Sequence, residues 1–189
     1  MAIEKWKITE CVDCLLCGMN CADFLFWHKV YSKKTKQGNM KTKTGELSIS
    51  SPAFRNEGDI PAKYTCDGEE ISPPLKIGSF PEGTAFLALI MDDPDAPKGT
   101  FDHWLAWNIE PVSTIAENSN IGISGRNSAG KTGYHGPCPP SGSHRYYFRI
   151  YALSHRLEIA AGAGRRELEQ AMAPFIISKG TLMGRYQRS

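Results

Sequence analysis

Hydrophobic and polar positions change rhythm several times along this chain of 189 residues. Residues 46–50 alternate polar and apolar side chains, the period of a half-buried strand. Residues 85–91 (Ala-Phe-Leu-Ala-Leu-Ile-Met) are unbroken apolar, bounded by Gly83 and an Asp-Pro turn. That length suits a strand, and the missing polar positions predict one covered on both faces. Residues 103–109 and 145–153 are rich in aromatic and branched side chains and read as further strands. Connections rich in Pro and Gly lie between them. The period becomes helical only at residues 165–172, where Leu168, Ala171, Met172 and Phe175 make an i, i+3, i+4, i+7 stripe. Pro174 should end or kink that helix, and residues 180–186 return as a last strand. The pattern predicts a mostly β antiparallel sandwich with long loops, without internal repeat.

Composition refines this picture in two places. A hydrophobic content of 41% suits one domain with a real core. The charge is uneven: residues 1–44 hold eight Lys/Arg against four Asp/Glu, and residues 45–189 hold fourteen against sixteen. The basic run between Lys29 and Lys43 reads as a solvated linker. The body has no clustered Lys/Arg face, so no nucleic-acid partner is expected. No segment approaches the ~18 apolar residues of a membrane span. Asp13, Asn20 and Asp23 interrupt the only candidate for a secretory signal, so a cytoplasmic location is expected.

The division is therefore an N-terminal extension, 1–44, and a domain, 45–189. Within the extension, Cys11, Cys14, Cys17 and Cys21 spell C-x2-C-x2-C-x3-C, a spacing that suits an iron–sulfur cluster or zinc. Ala22 follows where a ligand run usually has Pro, and no second run exists. At helical pitch the same cysteines share one face with Leu25 and His28, which is an ordinary packing stripe. Met40 opens the segment leading into the body, so residues 1–39 can also be an appended start.

Three enzyme readings of the body have to be weighed. Residues 125–132 (Gly-Arg-Asn-Ser-Ala-Gly-Lys-Thr) match G-x-x-x-x-G-K-[ST], but a phosphate loop needs a helix directly after it. Gly133, Gly136, Pro137, Pro139 and Pro140 follow instead, and no helix starts there. A serine hydrolase would need a G-x-S-x-G elbow, which the chain lacks. Asp93, His103 and His144 have the residue types of a two-His, one-carboxylate metal site, and equally of a hydrogen-bonding cluster.

Four segments, taken in order, carry more. They are Asp93-Pro94-Asp95-Ala96-Pro97, His103-Trp104, Gly136-Pro137-Cys138-Pro139-Pro140 and His144-Arg145-Tyr146. Together with Lys63-Tyr64-Thr65-Cys66-Asp67-Gly68, Ser72-Pro73-Pro74-Leu75 and Leu182-Met183-Gly184-Arg185-Tyr186, they resemble the phosphatidylethanolamine-binding protein family, in its bacterial and archaeal Raf-kinase-inhibitor-like branch. The resemblance implies a Greek-key β-sandwich with one or two peripheral helices. It also implies a small anion pocket lined or shaped by Asp93, His103, Tyr134, Gly136, Pro137, Cys138, Pro139, Pro140, His144 and Tyr146.

Physical roles follow for most of these residues. His103 and His144 are expected to carry charge near neutral pH and to donate to a phosphate or carboxylate. Asp93 would fix a His tautomer or take a ligand's ammonium. Asp102 should raise the proton affinity of its neighbour His103. Asp95 should hold its loop, a role that is the plainer alternative for Arg145 as well. The Pro-rich wall is stiff and invites a cis X-Pro bond. Cys66 and Cys138 fall in loops that the resemblance puts at one end of the sandwich, and a cytosolic setting predicts thiols.

The resulting expectation is a non-enzymatic, cofactor-free protein that binds a small anionic or zwitterionic ligand, a phospholipid headgroup among them. The alternatives are an inhibitor of a kinase or protease acting through the pocket rim, and a metal-assisted hydrolase at Asp93, His103 and His144. Mammalian members carry a helix after the last strand; none follows Tyr186 here, so kinase regulation of that kind is not expected.

Overall fold

A computed structural model describes residues 46–188, and the four clustered cysteines at 11–21 lie outside the described residues. Among the described residues there are eight strands and one α-helix. They are β1 (Ile49–Ser50), β2 (Leu75–Ile77), β3 (Phe86–Asp93), β4 (Phe101–Ile109), β5 (Thr114–Ile115), β6 (Ile123–Ser124), β7 (Ser143–Leu153), the helix Arg165–Met172, and β8 (Ile176–Gln187). Single 3-10 turns occupy Ala62–Tyr64 and Ala173–Phe175. All pairing within the sheets is antiparallel, in a three-stranded sheet β1-β2-β5 and a five-stranded sheet β6-β4-β3-β7-β8. The expected mostly β, Greek-key sandwich is thus the fold, with one helix on its outside.

The apolar run becomes β3, the middle strand of the larger sheet. Its alternation divides the core. Leu87, Leu89 and Met91 join Trp104, Ala106, Tyr146, Phe148, Ile150 and Leu182 in a cluster shared with Leu75 and Ile77 of the small sheet. Ala88 and Ile90 face the other way and join Leu105, Trp107, Leu168 and Met172 beneath the helix. A strand with both faces covered has no use for polar positions. Where the chain from Leu47 crosses the large sheet, a side chain at Gly180 would place its Cβ 1.8 Å from the Leu47 carbonyl oxygen, so only glycine fits.

The helix occupies the predicted residues. Gly164 offers no capping side chain, and Glu167 reaches back to its N–H at 3.1 Å. Leu168 and Met172 are fully buried, and Pro174 turns the end into a 3-10 turn, as expected of a residue without an N–H. The last strand starts at Ile176, four residues earlier than its glycine suggested.

Antiparallel order positions the site. β3 ends where β4 and β7 begin, with Asp93 opposite Phe101 and Asp92 opposite both Asp102 and Tyr147. The register of β3 against β4 then slips between Met91 and Asp92: Met91 pairs with Trp104 and Asp92 with Asp102, leaving His103 as the extra residue of a bulge. A bulge breaks strict alternation and re-aims a side chain.

A small cavity between two histidine pairs

Asp93, Phe101, His103, His144 and Tyr146 meet at this end of the large sheet. They enclose a cavity of about 160 Å³, completed by Ala96, Pro97, His135, Cys138, Pro139 and Pro140. Seven of the ten residues expected at the pocket therefore line it. Tyr134, Gly136 and Pro137 do not. They support the wall from behind, the Tyr134 hydroxyl donating to the Tyr64 carbonyl at 2.6 Å and the Pro137 carbonyl accepting from Cys66 N–H at 3.1 Å. Burial raises the Tyr134 pKa well above its ordinary value, so this phenol stays a donor. Ala96, Pro97, Phe101 and His135 were not foreseen. His135 lies next to a quoted motif, and only the loop path brings it in.

His144 and Asp93 form a pair, with His144 Nδ1 2.7 Å from Asp93 Oδ2 and both side chains almost fully buried. A carboxylate accepts only, so Nδ1 carries the proton and donates, which turns Nε2 away as the ring's second polar atom. Asp93 Oδ1 accepts from the Asp95 N–H at 2.8 Å and fixes the carboxylate's own orientation. Asp95 in turn takes a two-pronged bond from the Arg145 guanidinium at 2.8 and 2.6 Å. That bond lowers the Asp95 pKa to about 2. The expectation that Asp95 holds its loop is met, with Arg145 as the partner.

His103 sits differently. Its Nδ1–H donates to the His135 carbonyl at 2.8 Å, and its ring lies within 6 Å of three aromatic rings, at 4.8 Å from Phe101, 5.7 Å from His135 and 5.2 Å from Tyr146. Burial lowers the His103 pKa to about 4. The expected charge on His103 near neutral pH is therefore corrected: the ring is neutral, and its Nε2 is an acceptor. Asp102 does not reverse this. It faces the opposite side of the sheet, where Arg165 Nη1 binds both Asp102 Oδ1 and Asp92 Oδ2 at 2.9 Å. Arg149 completes the Asp92 cage with bonds of 3.0 and 3.1 Å.

The Tyr146 side chain is fully buried in the cavity wall; its hydroxyl lies close to the Asp93 carboxylate but makes no hydrogen bond of acceptable geometry with it or any other group. Burial, and then the nearby Asp93 charge, raises its pKa, so it remains protonated. A buried hydroxyl left unpaired is an exception among buried polar groups. On the far side, His135 Nδ1 meets Glu70 Oε1 at 2.9 Å.

Two further expectations are overturned. Cys66 and Cys138 are joined in a disulfide, with an S–S distance of 2.10 Å. The thiol expectation rested on compartment alone; the loops bring the two Cα atoms to 5.4 Å, within bridging range. No described peptide bond is cis, so the prolines form their wall in the trans form. The stretch 125–132 forms no phosphate loop. Asn127 Oδ1 accepts from the N–H groups of Ala129 and Lys131 at 3.1 Å, and the segment closes on itself at Arg126 and Thr132. Among the described residues, no group of three or more His, Cys, Asp or Glu is arranged to hold a metal. No helix among them is long and apolar enough to cross a membrane.

The phosphatidylethanolamine-binding protein family model matches residues 50–187. A UPF0098 protein of Archaeoglobus fulgidus is 51% identical over 151 residues, 76% of this chain and 52% of that protein, so the chain spans about half of that relative's length. A UPF0098 protein of Pyrococcus horikoshii is 49% identical over 154 residues, 75% of this chain and 77% of that protein. Among solved structures, a phosphatidylethanolamine-binding protein homolog from Chlamydia trachomatis superposes with a TM-score of 0.74 at 40% identity, covering 76% of this chain and 99% of that one. E. coli YbcL shares the fold at 24% identity and a TM-score of 0.71, covering 77% of this chain and all of that one. With its sandwich, its paired histidines and its proline wall, the chain belongs to the phosphatidylethanolamine-binding protein family.

Proposed function

We propose that the cavity binds the phosphoryl or carboxyl group of a small anionic or zwitterionic molecule, a phospholipid headgroup among them, as a binding protein rather than an enzyme. One observation carries the reading. The orphan Tyr146 hydroxyl and the Asp93-oriented His144 border the same small cavity. Both are hydrogen-bond donors towards an anion, His144 through Nε2 in its charged form. The neutral His103 contributes the opposite property. Its Nε2 accepts, which suits a P–OH, a ligand hydroxyl or an ammonium. Asp93 adds one negative charge, which repels a bare dianion and attracts the cation of a zwitterion. The combination fits a singly protonated phosphate ester bearing an amine, such as phosphoethanolamine.

Rigidity supports binding over turnover. The proline wall has few N–H groups, the disulfide fixes it to the Cys66 loop, and both histidines have their Nδ1 atoms committed. A preorganised site of this kind loses little entropy on binding. Titration calorimetry with inorganic phosphate and with phosphoethanolamine tests the reading. Tyr146→Phe should weaken both at least fivefold and leave the fold intact. Affinity unchanged in Tyr146→Phe and in His144→Ala would place the anion site elsewhere.

A further inference from the structure

A second cavity of about 230 Å³ lies on the other side of the Tyr134-His135 strip and includes the end of the glycine-rich stretch that imitates a phosphate loop. Its chemistry is unlike that of the first. Ser72, Asn118, Asn120, Ser124 and Thr132 line it, and all are neutral hydrogen-bonding residues. Trp104 and Tyr134, packed edge to face at 5.6 Å, share its apolar wall with Ile71 and Ile121. Glu70 is the one charged residue on its lining. The Glu70 Oε1 atom is taken by His135 Nδ1 at 2.9 Å and Gly136 N–H at 3.4 Å. Its Oε2 has no partner among the described residues.

Ser72 is the telling residue. It is 3% exposed, yet its hydroxyl has no hydrogen-bond partner among the described residues, and it faces this cavity. The hydroxyl is reachable from the cavity and is free to donate to and accept from what fills it. The side chains of Asn118 and Asn120 are likewise uncommitted. Each offers a donor and an acceptor.

We infer that this cavity binds a neutral polyhydroxylated group, of the size of one sugar ring or a shorter polyol. No cation lines it, so an anion has no counter-charge. Its polar walls would leave an apolar ligand facing unpaired groups. A ring of hydroxyls both donates and accepts, as the Ser, Asn and Thr groups require, and its C–H face suits the Trp104–Tyr134 wall. The volume is below the ~300–1,000 Å³ of drug-sized sites, which limits the ligand to a fragment. This site stands apart from the anion cavity and does not rest on its ligand.

Ligand-observed NMR on the full chain, with glycerol, myo-inositol, D-ribose and D-glucose as probes and inorganic phosphate as comparison, tests it. At least one polyol should bind saturably, with a Kd of about 1 mM or tighter. Ser72→Val should weaken that binding at least fivefold. Asn120→Ala/Thr132→Val alters only exposed side chains, so it should fold even if Ser72→Val does not. It should also lower polyol affinity at least fivefold while phosphate affinity stays constant. Absence of saturable binding by all four polyols overturns the proposal, as does polyol binding unchanged in the Asn120→Ala/Thr132→Val protein.

Discussion

Asp93 Oδ2 lies 2.7 Å from His144 Nδ1, although the residues stand 51 positions apart, one at the end of β3 and the other near the start of β7. This contact commits Nδ1 and leaves Nε2 as the free ring nitrogen of His144. His144→Ala should weaken phosphate binding by roughly 1–3 kcal/mol, the cost of losing a hydrogen bond to a charged group. Asp93→Asn should weaken phosphoethanolamine more than phosphate, because only the former carries a cation. Calorimetry of both ligands on both variants checks this. Equal losses for the two ligands would remove Asp93 as the ammonium's partner.

Stability should fall in acid through His103. Its folded pKa, about 4, lies below the ordinary 6.5. The unfolded chain therefore binds a proton between those values that the folded protein refuses. Stability is fully present above pH ~6.5 and declines as pH falls towards ~4, by roughly 3 kcal/mol from this group. Melting temperatures from pH 7 to 4 should drop more steeply for the parent protein than for His103→Phe. Parallel curves would show that His103 is not held neutral by burial.

The Cys66–Cys138 bridge spans 72 residues, and closing a loop of that size stabilises a domain by about 2–4 kcal/mol. Reducing agent should lower the melting temperature by several degrees. Cys66→Ser/Cys138→Ser should reproduce the drop and make the protein insensitive to reductant. Mass spectrometry of freshly isolated protein reports whether the bridge forms in the cell. Two free thiols there would restore the expectation for a reducing compartment.

Arg165 neutralises a fully buried carboxylate, Asp92, from outside the sheet. Arg165→Met should destabilise by about 3 kcal/mol, the low end for breaking a buried pair, because Arg149 remains. Denaturant unfolding measures it. A loss under 0.5 kcal/mol, the ordinary range for a surface substitution of about that size, would show the cluster to be superficial.

Lys131→Ala should change nothing about nucleotides. The Lys131 backbone N–H is bonded to Asn127 Oδ1, and no helix follows to face a phosphate. ATP affinity or turnover that disappears with this substitution would contradict the fold around residue 131.

Periodicity revealed most of the scaffold. The apolar run of β3 and the stripe of the helix are long signals, and each element appeared where its period placed it. The gathering of Asp93, His103, His144 and Tyr146 was legible through their motifs, since antiparallel strands bring those ends together. The side chains' states were not legible. Alternation cannot reveal the bulge at His103, so Asp102 was read as its helper when it serves Arg165 instead. Nor does a local pattern show how deeply an imidazole is buried, which is what keeps His103 neutral. His135 and Phe101 entered the wall through loop paths and register, which no motif encodes. The disulfide needed distances, and those exist only once the loops at 66 and 138 are folded.

The cavity straddles the seam between β3, the middle strand of the large sheet, and its neighbour β7. A molecule held by Asp93 and His144 thus fastens two strands that must separate whenever the domain opens. Occupancy should be felt by the whole cooperative unit, so heat can serve as a detector in a ligand search that needs no assay of activity. A compound at a hundred times its Kd adds about 2.7 kcal/mol, which moves the melting point by several degrees. Screening metabolite mixtures by thermal shift, with Tyr146→Phe in parallel wells to discard binders elsewhere, turns this seam into a means of finding the physiological ligand.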